Sequence, residues 1–146
     1  MTTEVLRSIQ QLRAHYALQK VMAAKQLSGE APKRFKSYSN TLPAMIQMNG
    51  IGQALAFAYQ KSNGTKVDEA KAWQQLFDLV SEWLLTNRKI WGNSEISDNS
   101  EKYRVLQALA AGSQEQYQLA QAEAQALLCW VKDFARAEIV GEAEDI

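Results

Sequence analysis

The residues able to do chemistry are few, and their spacing limits what they can do. His15 is the single histidine. No glutamate stands three residues before it and no second histidine four away, so neither helical metal pattern, Glu-x-x-His nor His-Glu-x-x-His, can form around it. It reads as an ordinary packing or surface histidine. Cys129, the single cysteine, is set between Leu128 and Trp130 in an apolar run with no histidine in it. A thiol placed so is expected to be buried and inert, and one cysteine excludes any internal disulfide. Gly50-Ile51-Gly52 lacks the preceding strand and the further glycines or Lys-Ser/Thr of a phosphate-binding loop, so it reads as a turn between helices. The tryptophans at 73, 83, 91 and 130 fall mostly at core spacing; Trp91, beside a polar loop, is the one candidate for surface stacking. There is no nucleophile with its base, no carboxylate pair and no metal cluster. The chain is therefore expected to be a non-catalytic protein, with no catalytic residue, no metal, no cofactor and no small-molecule substrate.

What remains is charge. The 146 residues carry 16 Lys/Arg and 16 Asp/Glu, for a formal net charge of zero, yet the distribution is lopsided. Residues 1–66 hold nine Lys/Arg against two acids, a net of +7, while residues 67–146 hold seven against fourteen, a net of −7. Such a polarised chain suits a polyanion on its basic half or complementary docking between neighbouring copies. Alternatively, folding interleaves the halves and cancels the field. The most basic spot is Lys33, Arg34 and Lys36. With Lys20 and Lys25 these form the candidate set for cationic, sequence-blind contacts to a phosphate backbone.

The elements that must carry these side chains are helical. At 47% hydrophobic and 22% charged residues, the composition is that of a globular domain of ordinary size, long enough to close one core without staples. One domain, 1–146, is expected. No run approaches the roughly twenty apolar residues of a membrane span, and MTTEVLRSIQ lacks a signal peptide's apolar core, so a cytoplasmic protein is expected. Val5, Ile9, Leu12, Tyr16, Ala23 and Leu27 recur at helical steps and predict a long first helix over 3–28, stopped by Gly29. Leu6, Leu18, Val21 and Met22 lie off that stripe, a surplus that either a second internal neighbour or a partner covers. Pro32 suits the first turn of a second helix, 32–48, in which Pro43 predicts a kink or break near Thr41. Asn49-Gly50 ends it. Short helix 51–61 follows; then Thr65 and Asp68 look like a capping box opening helix 66–89, whose core face is Ala70, Trp73, Leu76, Phe77, Val80, Trp83 and Leu84. After the polar stretch from Gly92 to Asn99 come helix 100–111 and, from the capping box Ser113/Gln116, helix 114–138 with its seam Tyr117, Ala120, Ala124, Leu127, Val131 and Phe134. No segment alternates with period two. The fold class is all-α, a single-domain bundle of about five to six helices.

Taken in order, Leu42-Pro43-Ala44-Met45-Ile46-Gln47-Met48-Asn49-Gly50-Ile51-Gly52-Gln53-Ala54-Leu55-Ala56-Phe57 is more specific than helix periodicity demands. It resembles the signature of the small helical subunit family of type III-B CRISPR effector complexes, the Cmr complexes. The run Glu123 to Ala135 is similar to that family's last helix, and Glu82-Trp83-Leu84 to the helix between, so the resemblance spans nearly the whole chain. It implies a structural subunit that stacks with copies of itself beside a filament of larger subunits on a CRISPR RNA. Its partners would be other Cmr-type subunits, CRISPR RNA and target RNA, in antiviral defence. In such complexes target cleavage and cyclic oligoadenylate synthesis belong to other subunits. The amides Gln47, Asn49 and Gln53 read as helix-end caps or as contacts to a neighbouring subunit or RNA. The rival reading of the whole is a helical protein adaptor or regulator that never touches nucleic acid.

Overall fold

The computed structural model describes residues 7–92 and 103–143. Among them are six α-helices, one π-helical turn and no strand: α1 Ile9–Lys25, α2 Ala31–Asn49, α3 Ile51–Ser62, α4 Val67–Glu82, α5 Arg104–Ala111 and α6 Gln114–Glu138, with the π-turn Trp83–Asn87 continuing α4. The protein is an all-α single bundle. Val5 and Leu6, the stretch 93–99 and the start of helix 100–111 lie outside the described residues.

Local chemistry explains most of the boundaries. Ser8 opens α1 with a capping box, its hydroxyl accepting from the Gln11 amide while the Gln11 side chain accepts from the Ser8 amide. Ser113 and Gln116 open α6 in the same way. Thr65 and Asp68 do not repeat the device. The residue before α4 is Lys66, and no side chain caps it. Asp68 instead reaches the start of α2, where its Oδ2 accepts from the Glu30 amide at 3.1 Å. An acid three residues past a threonine met a better donor on another helix.

α2 runs unbroken through Thr41 and Pro43, so no break occurs where the proline predicted a kink or break. Pro43 has no N–H to offer the Ser39 carbonyl. Nearby hydroxyls turn back on the helix, Thr41 donating to the Ser37 carbonyl and Ser39 to that of Lys36. From α6, the Gln125 side chain donates to the Pro43 carbonyl at 3.0 Å. Gly50 then ends α2 with φ +85°, in the half of dihedral space where a side chain is strained.

One apolar core fills the bundle. Phe35, Leu42 and Ile46 of α2, Ile51 and Leu55 of α3, Leu76, Phe77, Leu79 and Leu84 of α4 and its π-turn, and Leu127 and Leu128 of α6 are its largest enclosed side chains. α6 runs antiparallel to α2, since Gln125 bonds Pro43 while the α6 end meets Lys36. α1 lies along α6 in the same direction, Arg13 meeting Glu123 and Lys25 meeting Glu138. The face α1 buries differs from the predicted stripe. Tyr16, Ala17, Val21 and Ala24 face inward, whereas Leu12 is 41% exposed and Ala23 faces solvent. Two alanines seven residues apart make a shallow face that admits a close neighbour, so side-chain volume outweighed hydrophobicity in choosing it.

Candidate nucleic-acid interface

Of the five cations that residue type singles out, the fold gathers three. Lys33 and Lys36, three apart, share one face of α2, while Arg34 stands a step of about 100° round the helix. The end of α1 brings Lys25 to the same place. All three surround the C-terminal end of α6: Lys25 Nζ is 3.4 Å from Glu138, Lys36 Nζ is 3.1 Å from the Ile139 carbonyl and 3.3 Å from Glu142, and Lys33 lies against the chain at Gly141. Lys33 also faces Glu30 at 3.9 Å. A cleft of about 240 Å³ opens here, lined among others by Lys25, Lys33, Glu138, Ile139 and Val140.

The other two candidates are placed elsewhere. Lys20 pairs with Glu82 at 2.7 Å and lies over the Tyr16 ring. Arg34 turns to Tyr38, whose ring stacks on Trp73 at 4.3 Å; that hydrogen bond holds the guanidinium above the usual arginine pKa. All five cations thus have partners within the fold. The sequence dipole is largely folded away: Arg13–Glu123, Lys20–Glu82, Lys25–Glu138, Lys36–Glu142 and Lys61–Glu69 each join a base from 1–66 to an acid from 67–146.

The polar centre that sequence reasoning missed lies around Glu123. This carboxylate is only 5% exposed, yet Arg13 clamps both its oxygens at 2.9 and 2.8 Å, the Trp83 indole N–H donates to it at 2.9 Å, and Arg88 stands 3.7 Å away. Burial pushes its pKa up, but the bonds from Arg13 and Trp83 and the charges of Arg13 and Arg88 outweigh that, and the net shift is downward. The π-turn makes the arrangement possible. Residues five apart on an α-helix point about 140° apart, whereas here the Arg88 amide bonds the Trp83 carbonyl at 2.8 Å and both side chains reach one acid. The readable signal was a lone glutamate among the apolar positions of α6.

The turn between α2 and α3 is held from α6 as well. Gly52 N–H donates to the Tyr117 hydroxyl at 3.0 Å, and Ile51 N–H to the Gln121 side chain at 3.0 Å. A Cβ at Gly50 would come within 2.8 Å of the Tyr117 hydroxyl oxygen, which together with its φ accounts for glycine there. Those donors are therefore not capped by Gln47, Asn49 or Gln53, all three of which face solvent beside Met48, itself 81% exposed. Trp91 is half-buried against the core. Cys129 is exposed, not buried as its apolar neighbours suggested, because α6 turns Leu128 inward and its sulfur outward. His15 is exposed too, and among the described residues no three His, Cys, Asp or Glu side chains converge as a metal would require. No helix among them is long and apolar enough to cross a membrane.

Comparison with known proteins now bears on this geometry. No curated protein matches the sequence significantly. A crystal structure of a CRISPR-associated Cmr5 family protein from Thermus thermophilus superposes on 92% of this chain and all of its own with a TM-score of 0.69 at 24% identity, which is a likeness of fold. The family model described as CRISPR-associated protein (Cas_Cmr5) matches residues 9–138, from the first residue of α1 to the last of α6. With every described helix inside that match, the chain belongs to the Cas_Cmr5 family of CRISPR-associated proteins.

Proposed function

We propose that this protein is a non-catalytic structural subunit of a cytoplasmic, RNA-guided Cmr effector complex, stacking with its own copies as a minor filament that helps hold guide and target RNA in antiviral defence. Family membership across residues 9–138 carries the reading. Base pairing with the guide would read sequence, while the subunit supplies contacts to the phosphate backbone. Lys25, Lys33 and Lys36 are the best placed for this because they gather around the C-terminal end of α6, the first two lining one cleft; Lys20 and Arg34 have weaker claims, each being engaged on another face. In the assembled complex, alanine at Lys25, Lys33 and Lys36 together should weaken RNA binding and reduce the slope of log affinity on log salt by roughly two, at ~0.7–0.9 for each phosphate no longer neutralised. Unchanged affinity and slope would remove the assignment.

A second reading has its own support. Leu12, Leu18 and Met22 project from the outer side of α1, and every one of the five cations has an internal partner. A helical adaptor that meets only protein would look the same on this face. Purifying the tagged chain from its host separates the two: short guide RNAs travel with the first and are absent from the second.

A further inference from the structure

Beyond α6 the chain does not leave the bundle. Ile139 is buried, and residues 140–143 then turn past the lysines: Val140 lines the cleft with Lys25 and Lys33, Gly141 lies against Lys33, and Glu142 reaches Lys36. Gly141, at φ +88°, makes the turn, and even a methyl group there would meet the Lys33 side chain at 3.3 Å. The strap then sets the Glu142 carboxylate 3.3 Å from Lys36 Nζ, while Glu138 at the end of the helix takes Lys25. Carboxylate oxygens therefore stand where the phosphate oxygens of a bound backbone would stand.

We propose that Glu138 at the end of α6 and residues 139–143 beyond it form an acidic strap covering these lysines as a phosphate mimic, and that RNA reaches the lysines by displacing it. The inference rests on the RNA-holding reading above. What holds the strap is informative. Val140, its one large apolar side chain past Ile139, is 86% exposed and packs on nothing that would anchor it. Past Ile139 it is fastened by charge, and the carboxylates of Glu138 and Glu142 are open to water. Exposed pairs of this kind are individually weak and screened by salt. Because the strap is tethered, its carboxylates act at a high effective concentration. A single small anion competes poorly against that; a polyanion with several phosphates at matching spacing competes well. Lys36, 12% exposed and also bonded to the Ile139 carbonyl at the negative end of α6, is the fixed member. Lys25 and Lys33 are the two that a phosphate reaches first.

The test uses the full chain and a labelled single-stranded oligouridylate. Glu138→Gln with Glu142→Gln should bind the oligomer about two- to tenfold more tightly than the unaltered protein, the range set by two exposed ion pairs. Glu115→Gln with Asp133→Asn changes net charge by the same amount at two acids that neither line the cleft nor pair with its lysines, and should give a clearly smaller gain. Adding alanine at Lys25, Lys33 and Lys36 should abolish the advantage of the first pair. An equal gain from both acid pairs would overturn the strap and leave RNA holding intact, as would no gain from either while the lysine variant still weakens binding. No binding by any variant, together with a complex whose RNA affinity ignores the lysines, would overturn both.

Discussion

The two ends of α6 use the same ingredients to opposite effect. Along its first half, Tyr117, Gln121, Glu123 and Gln125 each bond a group on another helix: the Gly52 and Ile51 amides, the Arg13 and Trp83 side chains, and the Pro43 carbonyl. At its far end Glu138, the Ile139 carbonyl and Glu142 face lysines across an open cleft. Burial makes the difference. A carboxylate enclosed with its guanidinium cannot be left unpaired without a large penalty, whereas one in water exchanges its lysine for solvent at little cost. The first half of α6 is therefore fastened to the fold, and the far end keeps charge that a partner can compete for.

Removing Glu123 should have the largest effect. Glu123→Ala strands Arg13 and the Trp83 N–H inside the bundle and should cost about 3–5 kcal/mol, roughly 10 °C of thermal midpoint for a chain of this length. A loss below about 1 kcal/mol in urea unfolding would erase the contrast between the two ends. The pH dependence has a definite sign. Because the folded pKa of Glu123 lies below its unfolded value of about 4.3, its contribution is complete above that pH and is lost as pH falls through the folded value. The stability gap between the unaltered protein and Glu123→Gln should thus be widest near neutrality and narrow below about pH 4. A gap that stayed constant down to pH 3 would assign the stabilisation to shape and not to charge.

Next in size is the turn that α6 clamps. Gly50→Ala places a Cβ at φ +85° and 2.8 Å from the Tyr117 hydroxyl, for about 1–3 kcal/mol of strain. Tyr117→Phe alone leaves the Gly52 amide without its acceptor and should cost about 1 kcal/mol. In the double variant the missing hydroxyl makes room for the added methyl, so the combined cost should fall below the sum. Strict additivity would show that the hydroxyl does not set the residue at position 50.

How much of this was legible depended on how far along the chain each interaction reached. The all-α class, the capping box of Ser113 and Gln116 and the buried run of α4 from Trp73 onward are settled within a turn or two, by residue type alone, although Ala72 and not Ala70 is the enclosed alanine. Asp68 had the right spacing for a local cap and went to Glu30 instead, 38 residues away. Glu123 meets Arg13 across 110 positions, and nothing in either neighbourhood announces the other. Among the cations, Lys33 and Lys36 were readable as one face of α2, and Arg34 with Tyr38 as an i,i+4 pair on the same helix, but that Lys25 joins the two lysines follows from how α1 packs. Charge sums over half-chains misled for the same reason: sequence halves are not spatial halves, and the pairs across the bundle cancel most of the apparent dipole.

The smallest effect is the most discriminating for the far end of α6. Glu142 is 84% exposed and makes one ion pair, with Lys36 at 3.3 Å. Glu142→Gln should change unfolding free energy by less than about 1 kcal/mol, the range of exposed pairs, and that small change should vanish at high salt. Lys36 would keep its bond to the Ile139 carbonyl, so the end of α6 stays capped while the strap loses its hold. A destabilisation above about 1 kcal/mol that persisted in high salt would instead make residues 139–143 part of the structural frame. Both ends of α6 would then be fastened alike, and a strap so fixed could not yield its lysines to a phosphate chain.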